Sequence, residues 1–142
     1  MIYTEMTKKA MRICYEAHKG QLDKGGCPYV FHPYHLAEQM QTEETVITAL
    51  LHDVVEDTSY TFDDLRKEGF SENVIKALML LTHDNSVPYE MYIQGVKMND
   101  IAKQVKLADL RHNSDVTRLA PGTVNEQRMK KYAAAIGELT KG

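Results

Sequence analysis

The stretch "ALLHDVVEDT", residues 49–58, decides how this chain is read. Its apolar residues look like the middle of a buried helix, yet His52, Asp53, Glu56 and Asp57 interrupt them. Charge in apolar surroundings is costly unless it is paired or bound to a metal. On one continuous helix over 43–56, His52 and Asp53 diverge by about 100°. Glu56 then shares the face of His52, and Asp57 the face of Asp53. The pattern predicts two short polar rows on neighbouring faces, and a metal ion would give both a partner. Taken alone, the segment also reads as a satisfied polar patch at a helix end.

Working outward, the chain reads as almost all helix. Residues 4–19 carry Met6, Ala10, Ile13, Cys14 and Ala17 at amphipathic spacing, and "KGQLDKGGCP" breaks that helix. Pro33 opens "PYHLAEQM", since proline suits a first helical turn. Thr42 is the expected cap of the 43–56 helix, with Glu44 near it, and Thr61 precedes "FDDLRKEG", a helix expected to end at its glycine. Ser71 opens "ENVIKALMLLT", "HDNSVPY" is a loop, and helices follow over 89–97, 99–112 and 124–139, the last after the break "APGTVNEQ". No strand, repeat or linker is expected. The expectation is one compact all-α domain over residues 1–142.

Bulk properties narrow the function classes. The 142 residues suffice for one domain with a core. A composition of 43% hydrophobic and 26% charged residues is that of a soluble globular protein, with no run near the roughly 18 apolar residues of a membrane span. The polar start "MIYTEMTKKAMR" does not resemble a signal peptide. A net charge of −3 argues against broad nucleic-acid binding but leaves room for a local basic pocket. Cys14 and Cys27 form no disulfide framework, which suits a reducing cytoplasm, with Cys14 in the core and Cys27 in an exposed loop. The partner these features suggest is a small molecule, not a nucleic acid or a membrane. Oligomeric state is left open.

Two further segments favour the metal. "YVFHPYHLA" sets His32 where a helix begins, and "QVKLADLRHNS" sets Asp109 at the end of an apolar run. His32, His52, Asp53 and Asp109 would make a mixed nitrogen and oxygen site for a manganese-, iron- or zinc-like ion with positions open to water.

In order, the motifs "AHKGQ" (17–21), "PYVFHP" (28–33), "ALLHDVVEDT" (49–58), "VKLADLRHN" (105–113) and the weaker "RMKKY" (128–132) resemble the HD-domain superfamily. Within it they resemble the hydrolase domain of the RelA/SpoT alarmone enzymes, closest to the small stand-alone Mesh1-like hydrolases, over nearly the whole chain. The resemblance implies one manganese ion on His32, His52, Asp53 and Asp109, with Glu56 and Asp57 as catalytic carboxylates. It implies removal of the 3′-pyrophosphate of ppGpp or pppGpp, without the synthetase half of the larger enzymes. It also implies that Lys24, Asn113, Arg128 and Tyr132 line a nucleotide pocket, with His18 nearby. An anionic substrate needs cations, for which Lys24, Lys106, Arg111, Arg128 and Lys131 are candidates. His35 and His83 gain no role and are expected at the surface or at helix ends.

Three departures bear on substrate choice rather than on the ligands. Asp23-Lys24-Gly25-Gly26 stands where the family often has Arg-Lys-Ser-Gly, "LADLRHN" replaces "LADRLHN", and the segment from Thr82 to Lys106 is short. The alternatives are therefore a phosphohydrolase of another nucleotide, such as NADPH, or a nucleotide-sensing module without turnover.

Overall fold

The computed structural model describes residues 1–141. Among them it contains nine α-helices: α1 (Glu5–His18), α2 (Phe31–Glu38), α3 (Glu43–Leu51), α4 (Val54–Asp57), α5 (Phe62–Lys67), α6 (Glu72–Leu81), α7 (Tyr89–Lys97), α8 (Asp100–Asn113) and α9 (Glu126–Thr140). A short 3-10 turn, Val116–Arg118, lies between α8 and α9. The described residues contain no strand, only an isolated bridge between Leu22 and Pro28. No helix is long and apolar enough to cross a membrane. The all-α expectation holds.

Local chemistry starts most helices where the sequence suggests, but α2 begins at Phe31, ahead of the expected Pro33. Thr4, Thr42 and Thr61 cap α1, α3 and α5 with reciprocal side-chain bonds to Thr7, Thr45 and Asp64. Ser71, Asn99 and Asn125 cap α6, α8 and α9. Gly69, at a φ of +98°, takes the left-handed turn that ends the α5 segment.

Helix α3 is the axis of the fold. Every residue from Thr45 to Leu51 is buried, and the helix packs against α1, α2, α6 and α8. Leu36, Leu50, Leu51, Leu78 and Leu110 are among its fully buried neighbours and members. Each such side chain contributes about 1.5–3 kcal/mol by leaving water. With both ends of α3 fixed in this core, its C-terminus presents His52 to α2 and α8.

The expected continuous helix over 43–56 is not formed. It breaks at His52–Asp53, where Asp53 has φ −108° and ψ 0°, and restarts as the single turn α4. His52 Nδ1 donates to the Ala49 carbonyl at 2.7 Å, the acceptor the Asp53 N–H would use in an unbroken helix. The predicted pairing of faces, His52 with Glu56 and Asp53 with Asp57, is lost with the break.

Candidate metal centre and adjoining cleft

Three elements bring the proposed ligands together: α2 carries His32, the end of α3 carries His52, and α8 carries Asp109. All three side chains are buried, and one ligand atom from each lies within 4.8 Å of the others. His32 Nε2 is 2.8 Å and His52 Nε2 3.6 Å from Asp109 Oδ1. Asp53, at the helix break, brings Oδ2 to 3.0 Å from His52 Nε2.

The tautomer of His52 tests whether a cation fits. With Nδ1–H committed to the Ala49 carbonyl, a neutral ring turns the lone pair of Nε2 toward two carboxylates. Nε2 is buried and makes no well-formed hydrogen bond despite those neighbours. Acceptors converging on an acceptor fit a cation between them, and histidine with carboxylate suits a divalent first-row ion. Burial lowers the His52 pKa, but Asp53 and Asp109 outweigh it and hold it well above the usual value, the same pull those carboxylates would exert on a cation.

Surrounding groups orient the proposed ligands. His32 Nδ1 lies 2.7 Å from Nδ1 of His112, whose ring stacks on His35 at 4.1 Å between centroids. Asp109 receives Asn113 Nδ2 at 3.0 Å and Lys106 Nζ at 2.9 Å. Burial works against the Asp109 anion, but Lys106 and the two histidines keep its pKa well below the carboxylate range. Burial opposes ionisation of Asp53 too, yet His52 and the hydroxyl of Tyr29, which donates to Oδ2, hold it at about 2. Tyr29 was not singled out from the sequence, although it stands inside "PYVFHP".

Two cavities flank this centre: the smaller is bordered by His52, Asp53 and Asp109 themselves, the larger by Tyr29 and Asn113, which bond Asp53 and Asp109. A cleft of about 710 Å³ is bordered by Lys24, Asp57, Asn113, Arg128 and Tyr132, together with Asp23 and Arg118. A smaller pocket of about 200 Å³ is bordered by His52, Asp53, Glu56, His83, Lys106 and Asp109. Glu56 and Asp57, adjacent in sequence, therefore face different spaces. Burial raises the pKa of each, with Asp53 adding to it in both.

Several expected positions are corrected. His18 is buried behind Tyr29, with ring centroids 4.9 Å apart, and does not border the cleft. His83 borders the small pocket and gives its backbone N–H to Glu56 at 2.9 Å, a placement no local motif signals. Arg111 is exposed and away from the cleft because Leu110, its exchanged neighbour, fills the core. Lys131 lies over the Tyr89 ring at 4.1 Å instead of in the cleft. Arg118, which sequence reasoning passed over, reaches the cleft from the 3-10 turn.

An all-helical fold that gathers an adjacent His-Asp pair, a second histidine and a second aspartate is that of the HD-type hydrolases. No family model matches the chain. It is 33% identical over 153 residues to guanosine-3′,5′-bis(diphosphate) 3′-pyrophosphohydrolase MESH1 of Danio rerio, covering 98% of this chain and 84% of that one. The MESH1 protein of Homo sapiens is 33% identical over 133 residues, covering 84% and 73%. A guanosine-3′,5′-bis(diphosphate) 3′-pyrophosphohydrolase of Aquifex aeolicus is 37% identical over 92 residues, 62% of this chain and 13% of that protein. Among solved structures, a metazoan orthologue of SpoT, described as hydrolysing ppGpp and acting in starvation responses, superposes with a TM-score of 0.80 at 24% identity. That match spans 100% of this chain and 89% of the other, and at this identity it speaks for the fold. The chain belongs to the MESH1 family.

Proposed function

We propose that the chain is a metal-dependent hydrolase that removes the 3′-pyrophosphate of ppGpp or pppGpp, yielding GDP or GTP and pyrophosphate. The observation that carries the reading is the buried, unbonded Nε2 of His52 facing Asp53 and Asp109, whose bonded neighbours Tyr29 and Asn113 border a cleft of about 710 Å³. The MESH1 relatives carry the name of this activity. His32, His52, Asp53 and Asp109 would hold the ion, with manganese as the proposed metal. When bound, it supplies Lewis acidity, easing deprotonation of water and drawing charge from a phosphoryl oxygen.

The chain's own residues do the rest. Lys24 and Arg128 attract the anionic nucleotide, while Asn113 and Tyr132 line its site. A water adds to the phosphorus that carries the 3′ oxygen. The bond from phosphorus to that oxygen breaks, pyrophosphate leaves with the water's oxygen, and the 3′ oxygen takes a proton. Glu56, in the small pocket beside Lys106, is on the side from which a water is oriented and its proton accepted. Asp57 borders the cleft, the nucleoside side, and would relay the proton to the 3′ oxygen from there. Lys106 adds positive charge against the departing pyrophosphate.

The test is pyrophosphate release from ppGpp by purified protein with added manganese, beside an Asp53→Ala control. Release that vanishes in the control is expected. No release across several divalent metals, with metal shown to be bound, sinks the assignment. Faster turnover of NADPH than of ppGpp would replace it with the alternative phosphohydrolase.

A further inference from the structure

We propose that Asp23 and Arg118 form a base-reading pair on the cleft wall that selects guanine over adenine nucleotides. The inference rests on the cleft being the nucleotide site and adds which base it takes.

Each of the two side chains is anchored at one end. Asp23 Oδ1 accepts the backbone N–H groups of Gly25 and Cys27, both at 2.9 Å. Arg118 Nη1 donates to the His112 carbonyl at 2.9 Å and to Asn113 Oδ1 at 3.4 Å. The remaining atoms, Asp23 Oδ2 and Arg118 Nη2, face each other at 3.5 Å, the long limit of a hydrogen bond. Both residues border the cleft, with side chains 16% and 22% exposed. The two segments that carry them are closely packed. A Cβ on Gly25 would stand 1.8 Å from the Arg118 carbonyl oxygen, so the loop backbone lies directly on the 3-10 turn.

The result is one acceptor and one donor held side by side with no net charge. The Watson–Crick edge of guanine matches it, because N1–H and the 2-amino group donate beside the acceptor O6. Adenine reverses the order, with N1 accepting and the 6-amino group donating. A phosphate fits poorly, since Asp23 repels it, and Lys24 and Arg128 remain for that duty. The aspartate at the position where the family often has arginine is then half of a reader whose other half comes from the adjoining 3-10 turn.

The experiment compares kcat/KM for ppGpp with that for adenosine 3′,5′-bis(diphosphate), in the wild type, Asp23→Asn and Arg118→Gln. Binding of GDP and ADP is measured in parallel by calorimetry. Asp23→Asn keeps Oδ1 for the loop and turns the facing atom from acceptor to donor. A wild-type preference for guanine of about tenfold or more is expected, falling about tenfold in Asp23→Asn and also in Arg118→Gln. A preference unchanged in both folded variants overturns the inference and leaves the proposed function standing. If neither bis-diphosphate is hydrolysed, the proposed function falls. The calorimetry still decides: GDP favoured over ADP and the difference lost in Asp23→Asn supports the pair, and equal binding overturns it.

Discussion

The imidazole of His52 is held by two opposite demands: one nitrogen gives its proton to the Ala49 carbonyl, and the other faces two carboxylates. A cation satisfies both. Lys106 is the other positive neighbour of Asp109, and its side chain is only 15% exposed. Lys106→Met leaves that buried carboxylate short of a partner and should destabilise the metal-free protein by on the order of 3 kcal/mol, read by urea unfolding. An unchanged midpoint would mean that His32 and Asn113 suffice. The two thiols make a second contrast. Burial, with Asp53 nearby, pushes the Cys14 thiol up to about 12, whereas Cys27 is exposed. At pH 8 a thiol reagent should therefore label Cys27 alone, and Cys14 only in denaturant. Rapid labelling of both in the native protein would contradict the buried placement of Cys14.

Among the elements, Glu138 ties α9 to α7 and the chain end. Hydrogen bonds from Gln94, Lys141 and Lys97 lower its pKa from 4.5 to about 2. A carboxyl depressed in the folded state stabilises above its unfolded pKa, and that contribution fades as pH falls from about 4.5 toward 2. Glu138→Gln should flatten the loss of stability in this window, measured as thermal midpoints across pH. A parallel slope in wild type and variant would show that the carboxylate does not matter there. Several helix starts were legible because caps are local: Thr42, Thr61 and Ser71 satisfy N–H groups within the next turn. The break at His52–Asp53 was not, because periodicity favours continuation and the competing bond belongs to a side chain. Arg118 was hidden for a similar reason, since a 3-10 turn of three residues carries no periodic pattern. The proposed ligands were legible as polar residues stranded in apolar runs. Tyr29 and His83 were not, because both are joined to the site across the fold.

For the whole molecule, the proposed ligands come from α2, α3, the α3–α4 break and α8. A bound ion therefore clamps segments nearly 80 residues apart, as the His32–Asp109 separation of 77 illustrates. A ligand of the folded state alone stabilises it by about 2.7 kcal/mol at a hundredfold excess over Kd. Chelation should lower Tm and manganese restore it, and Asp109→Asn should remove the response. A Tm indifferent to chelator and manganese would argue against the site.

The division of Glu56 and Asp57 between two spaces also bears on traffic. The small pocket, about 200 Å³ and furnished with Lys106 and His83, is separate from the cleft of about 710 Å³ where the nucleoside would lie. For the proposed reaction the two products have separate berths, so neither must depart before the other. Inhibition by pyrophosphate and by GDP together should then be more than additive, with an enzyme–GDP–pyrophosphate complex contributing to the rate law. A strictly exclusive pattern would mean that the two share a single exit.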